Sequence, residues 1–281
     1  AIEARRWQES RRFGRWWNLA VLGDYLRYRQ LPMFPKSPER RFLTWSLRAL
    51  VTQTALVIAA LISLVVLAEA AVWAMANKLP PSYILHKPLW FLGFGPLPEM
   101  VQIKPGRFTM GCKKGRDDVE GAKCEPDTSR PVTVDKPFSL GKYEVTFLQY
   151  DYYVWDQKLK GKGEQLSYPD DAGWGREHRP VINVSWDDAQ AYLSWLAKQD
   201  EHDDGTVYRL PTEVEWEYAA RGGLDTPYGW ADQAFDATKA NCDVERGAGK
   251  TLPVNREGNW RNGFGLHDMI GDVWEWTEDQ V

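Results

Sequence analysis

The chain predicts a two-part architecture: one membrane-spanning helix near the N-terminus, then a loop-rich domain of short strands and capped helices. Three observations predict it. Ala49 to Ala68 is a run of 20 residues without a charge. Charge divides about that run: residues 1–48 hold 11 Lys/Arg against 4 Asp/Glu, net +7, and the remainder holds 24 against 35, net −11. Beyond residue 100, Thr146 with Gln149 and Thr212 with Glu215 have capping-box spacing, and Ser185 stands as an N-cap with Asp188 three residues on.

Residues 1–48 form a basic, aromatic segment. Arg11 to Leu31 mixes arginines with Phe13, Trp16, Trp17, Leu19, Leu22, Tyr25 and Leu26. Such a stretch suits a helix on an anionic membrane surface, a tail of a larger cytoplasmic domain, or a dock for a partner. A short basic stretch beside a membrane points to lipid rather than to nucleic acid. Residues 49–77 are read as the transmembrane helix. At about 1.5 Å per residue, 20 residues span roughly 30 Å, the hydrocarbon thickness of a bilayer. A buried core helix would show a polar face, and this run has none. A signal peptide would have a shorter apolar core, although the small residues after Ala68 fit a cleavage site. Arg40, Arg41 and Arg48 precede the span closely, while Lys78 and Lys87 are sparse beyond it. The positive-inside bias therefore expects an N-terminus in the cytoplasm and a periplasmic or extracellular C-terminal domain. Trp45 and Trp73 would mark the two interfaces, with Glu69 at the outer edge.

Residues 78–99 hold five prolines and the aromatics Trp90, Phe91 and Phe94, and read as an extended linker. The domain proper is expected over 100–281. The whole chain, 13% aromatic and 26% charged, has the composition of a folded protein. "MVQIKPGRFTMGC" reads as a hairpin turning at Pro105-Gly106, and "VTVDKPFSLGKYEV" as another strand pair. "TFLQYDYYVW" reads as a buried helix. "RPVINVSWDDAQAYLSWLAKQ" reads as a strand, then a helix with Ala189, Tyr192, Leu193 and Leu196 on its apolar face. "YRLPTEVEWEYAARGG" is a short helix with both ends specified: Pro211 before it, Thr212 and Glu215 as the cap, Trp216 and Ala219 on one face, and Gly222-Gly223 as the stop. From Tyr228 onward the chain is loop-rich, as functional or tethered segments are. "EHDDGT" (201–206) reads as a solvated turn.

These blocks, together with "GRFTMGC", "LGKYEVTFLQY", "YGWAD", "ANCD", "LPVN" and "NGFGLHDMIGDVWEW", resemble in order the sulfatase-modifying-factor domain family, that of the formylglycine-generating enzyme. The resemblance covers residues 100–281. It implies an α+β fold with much irregular structure, related to C-type lectin domains. It also implies calcium at the closing block, held by Gly271, Asp272, Val273 and Glu275, with Asp272 where the family usually has Asn. Hard oxygen donors at this density suit that ion. The family's second calcium site, after "ANCD", is doubtful here because the loop is short and lacks the Asp. Trp274 and Trp276 are expected in the core.

The family's oxidase uses copper held by two cysteines, which by resemblance lie beyond residue 281. The expectation is therefore no catalytic residue within this chain. Cys112 and Cys124 flank an eleven-residue loop, "KKGRDDVEGAK", and outside the cytoplasm a disulfide closing that loop is plausible. Cys242 is expected to be buried. His86, His178, His202 and His267 lack the spacing of an iron site, and no phosphate-binding Gly-rich loop follows a strand. The favoured reading is a non-catalytic, membrane-anchored binding or accessory subunit, whose partners are the lipid bilayer and a membrane complex or extracytoplasmic protein ligand. The alternatives are a copper-dependent oxidase completed by downstream sequence, and a lectin-like ligand-displaying protein.

Overall fold

The computed structural model describes residues 38–77, 79–93, 95–119, 123–199, 207–232, 234–242 and 249–279. Most of the basic segment and the "EHDDGT" turn lie outside them. The chain divides into two compact units, Ala1–Pro88 and Leu89–Val281.

In the first unit, helix α1 (Pro38–Ala76) begins well before the uncharged run. Within it Val51–Ala76 has mean hydropathy 2.6 and only 6% burial, so it is long and apolar enough to cross a membrane and is no soluble core helix. Two of its hydroxyls bond within the helix. Thr52 donates to the Arg48 carbonyl, and Ser63 to Ala59 at 2.9 Å. That is how a spanning helix accommodates such residues without leaving a donor in lipid. The expected extended linker is corrected in part: Tyr83–Phe91 form helix α2, with Pro88 inside it. The Tyr83, Ile84 and Leu85 amides turn onto the Pro80, Pro81 and Ser82 carbonyls at 3.0–3.1 Å, so the prolines precede the helix rather than forbid it.

The second unit contains strands β1 (Met100–Ile103), β2 (Gly106–Met110), β3 (Arg130–Val134) and β4 (Phe138–Gly141). The two expected hairpins are not formed. β1 pairs antiparallel with β4, and β2 with β3, so the pairings nest. Between Ile103↔Phe138 and Gly106↔Val134, Lys104-Pro105 face Asp135-Lys136-Pro137, which bends the ribbon. Pro105 and Pro137 have no N–H to extend a ladder across this point. Gly106 opens β2 and does not adopt the left-handed conformation of a tight hairpin turn.

Helices α3 (Phe147–Leu159), α4 (Trp186–Leu196) and α5 (Glu213–Arg221) each begin with a reciprocal capping box, at Thr146/Gln149, Ser185/Asp188 and Thr212/Glu215. The aromatic residues of α3 and α4 meet ring to ring: Tyr150, Tyr153 and Trp195 all contact Tyr192 at 5.3–5.7 Å or each other. Beneath them Asp151 is buried against Arg176, 2.6 Å away, whose guanidinium also covers the Phe147 ring. A lone buried carboxylate would be expensive, and this geometry offsets the desolvation with two charge-assisted bonds.

A second cluster joins Ile103 and Val134 of the ribbon to Tyr218, Ala219 and Ala220 of α5 and to Leu266 and Met269 of the closing loop. Trp216 packs against this cluster and is partly buried. Asn262 stitches the cluster together. Its Nδ2 donates to the Ala219 carbonyl at 2.7 Å, and its Oδ1 accepts from the Phe264 and Leu266 amides at 3.0 and 3.2 Å. It thus takes one of the carbonyls that a helix end leaves unpaired. Gly222, left-handed at φ 59°, ends α5 so closely that a Cβ would lie 2.9 Å from the Gly263 nitrogen.

Thr212→Ala should cost about 1 kcal/mol, the ordinary value of an N-cap. Asn262→Ala should cost more, roughly 3 kcal/mol, because several buried groups lose a partner at once. Urea unfolding of the two variants checks the order; equal midpoint shifts would show that Asn262 does not hold α5.

Candidate functional site

The closing loop is built around three left-handed residues: Asp268 (φ 52°), Gly271 (φ 86°) and Asp272 (φ 62°). Aspartate tolerates this conformation better than most residues. Gly271 has no alternative, since a Cβ there would lie 2.6 Å from the Asn241 carbonyl oxygen and 2.8 Å from Cys242 Sγ. The Asp272 amide donates to the same Asn241 carbonyl at 2.8 Å. The loop is thereby pinned against residue 241.

This curl gathers carboxylates. Asp268 is buried and is held by Arg256 and by Asn259 Nδ2 at 2.7 Å. Asp272 accepts from Asn241 Nδ2 at 2.8 Å and from the Leu252 amide at 2.9 Å. Its side chain ties two loops together, and burial raises its pKa against these hydrogen bonds. Glu275 accepts from Trp216 Nε1 at 3.2 Å. The Glu275 residue as a whole is exposed, yet protein atoms crowd its carboxylate. Their desolvation raises its pKa to about 7, with repulsion from Asp268 adding to the effect.

The residue that completes the group is Glu144, between β4 and α3. Both its carboxylate oxygens are buried without a hydrogen-bond partner beyond the residue's own amide. Burial pushes its pKa well above the usual range, and Glu275, Asp268 and Asp272 push it further. An unpartnered buried carboxylate is costly unless it takes a proton or meets a cation. The residues named from sequence are therefore divided by the structure. Glu275 faces the cluster, Asp272 is committed to Asn241 and Leu252, and the Gly271 carbonyl accepts from the Val273 amide at 3.0 Å. Glu144 and Asp268 were missed. The only signal for Glu144 was a charge within the apolar "YEV" step into a capped helix.

Three further placements differ from expectation or extend it. Trp274 is fully exposed at 101%, and Trp276 is also exposed, its Nε1 donating to Val184 at 3.0 Å. Neither is core, because the curl that turns Glu275 inward turns its neighbours out. Cys242 is exposed rather than buried, lying beside Gly271. Cys112 and Cys124 form a disulfide with Cα atoms 5.5 Å apart. Inside the loop they close, the buried Arg116 binds Asp117, Asp225 and the Thr109 carbonyl.

A family profile, the sulfatase-modifying factor enzyme 1-like domain, matches residues 94–281. The chain belongs to this family. Inactive C-alpha-formylglycine-generating enzyme 2 of Bos taurus is 31% identical over 238 residues, covering 67% of this chain and 73% of the relative. The formylglycine-generating enzyme of Thermomonospora curvata is 40% identical over 116 residues, covering 37% of this chain and 34% of the relative. Among solved structures, PvdO from Pseudomonas aeruginosa is 31% identical with TM-score 0.52, covering 65% of this chain and 70% of that one. The formylglycine-generating-enzyme-like domain thus has both active and inactive enzymes among its relatives.

The raised pKa values have a defined pH consequence for this domain. Glu144 and Glu275 bind protons more tightly folded than unfolded, so their contribution weakens stability as pH rises from the ordinary glutamate value, about 4.3, towards 7. In chelator, Glu144→Gln should therefore melt higher than the wild type at pH 8, with the difference shrinking towards pH 5. Thermal melts across that range check it; a variant less stable at pH 8 would show that Glu144 has a partner.

Proposed function

We propose that this protein is a membrane-anchored, non-catalytic formylglycine-generating-enzyme-like domain that serves as an extracytoplasmic binding or accessory subunit of a membrane complex. The observation that carries the reading is the similarity, over 67% of this chain, to an enzyme named inactive. The apolar stretch Val51–Ala76 supports the anchor, and the basic flank before it supports an outward-facing domain.

The reading includes calcium. The Gly271 and Val273 carbonyls with the Asp272 and Glu275 carboxylates would supply its oxygen donors. A bound divalent cation would neutralise the carboxylates and fix the closing loop.

Two measurements test these proposals. The purified chain, incubated with copper, oxygen and a cysteine-containing sulfatase peptide, should leave the peptide thiol unchanged in mass. Conversion to an aldehyde would establish the oxidase reading instead. Calcium should raise the melting temperature of the wild type and have little effect on an Asp272→Ala, Glu275→Ala double variant. A wild type that melts identically in calcium and in chelator would remove the ion from the proposal.

A further inference from the structure

The outer end of the apolar helix does not run into free chain. The Asn77 amide and Nδ2 donate to the Trp73 carbonyl at 3.1 and 2.8 Å, and the Leu79 amide to Ala74 at 2.9 Å. These bonds turn the backbone sharply off the last turn of α1. Ala70, Ala74, Leu79 and Tyr83 are all buried. Lys87 brings its ammonium to 5.2 Å from the centre of the Trp73 ring. Trp73 lies inside the apolar stretch Val51–Ala76. Helix α2 therefore returns to the depth of the last turn of that stretch.

α2 has two unlike faces. Tyr83, Lys87 and Trp90 recur at helical spacing on one, and Tyr83 and Trp90 are buried. On the other, Leu85 is 65% exposed, Leu89 47%, and Leu92, just past the helix end, 70%. Steps of four and three residues align these leucines as one stripe. Val72 and Met75 on the last turns of α1 are exposed as well. Leaving a leucine in water rather than burying it forgoes about 1.5–3 kcal/mol.

We propose that α2 is an interfacial helix, with Leu85, Leu89 and Leu92 seated in the lipid of the leaflet where α1 ends. The inference rests on the reading of α1 as a membrane span. Lipid is the occupant because Leu85 is exposed on the helix whose Lys87 meets Trp73 inside the apolar stretch. The flanking pair is also of interfacial type: Trp prefers the headgroup boundary, and Lys extends its ammonium to water from an apolar stem.

The test uses the full chain with Cys242→Ser, leaving the disulfide intact, reconstituted in phosphatidylcholine vesicles. Single variants Leu85→Cys, Leu89→Cys and Leu92→Cys carry an environment-sensitive fluorophore, with Val66→Cys as the span control and Asp232→Cys as the water control. Spin-labelled lipids with shallow and deep quenchers read the depth. The expected result is blue-shifted emission and shallow quenching at the three leucine sites, deep quenching at residue 66, and neither at residue 232. Deep quenching at residue 66 with water-like emission at the leucine sites would overturn the interfacial helix and leave the span intact. Leucine sites shielded from iodide but unquenched by lipid would overturn it in favour of a second copy of the chain. No quenching at residue 66 would overturn the span, and the inference with it.

Discussion

The domain depends on the pairing of backbone polar groups where no regular ladder or helix supplies the partner. Its four strands reach five residues at most, and its helices end among loops. Buried loop backbone must still be hydrogen-bonded. Asn262 meets that constraint for the end of α5, for its own loop and for the approach to Leu266. Asp272 meets it for the segments at 241 and 252. Side chains of this type take the place of strands, which is why so irregular a chain has a defined core around Ile103, Ala219 and Leu266.

The same economy concentrates charge. A loop that curls through Asp268, Gly271 and Asp272 brings acidic side chains inward as it satisfies its own amides. Asp268 is balanced by Arg256, and Asp151 elsewhere by Arg176. Glu144 has no such neighbour among the described residues, and Glu275 has only the indole N–H of Trp216. A structural carboxylate would normally be paired. The imbalance therefore leaves the buried Glu144 carboxylate, between β4 and α3, without a compensating charge among the described residues.

Hydroxyl side chains play two parts in the chain. In the second unit Thr146, Ser185 and Thr212 cap helices. In α1 the hydroxyls of Thr52 and Ser63 fold back on their own helix instead. The same residue type thus satisfies a helix start at one place and itself at another, according to whether it precedes a helix or lies within one.

Local interactions were legible in the sequence because their partners lie within a turn or two. The apolar length of α1, the three N-caps and the glycine stop of α5 all follow from residues at most four positions apart. The course of β1 to β4 did not, since each piece reads as half of a hairpin and only long-range packing selects the nested pairing around Pro105 and Pro137. Nor could spacing show which acids converge. Asp272 and Glu275 stand three apart, yet one carboxylate braces loops while the other faces Glu144, more than a hundred residues earlier in the chain. The sequence by itself determined the apolar stretch of α1 and the three capped helices of the domain, through local geometry and solvation. Only the tertiary structure decided which charges are buried together, because that depends on how distant loops close over one another.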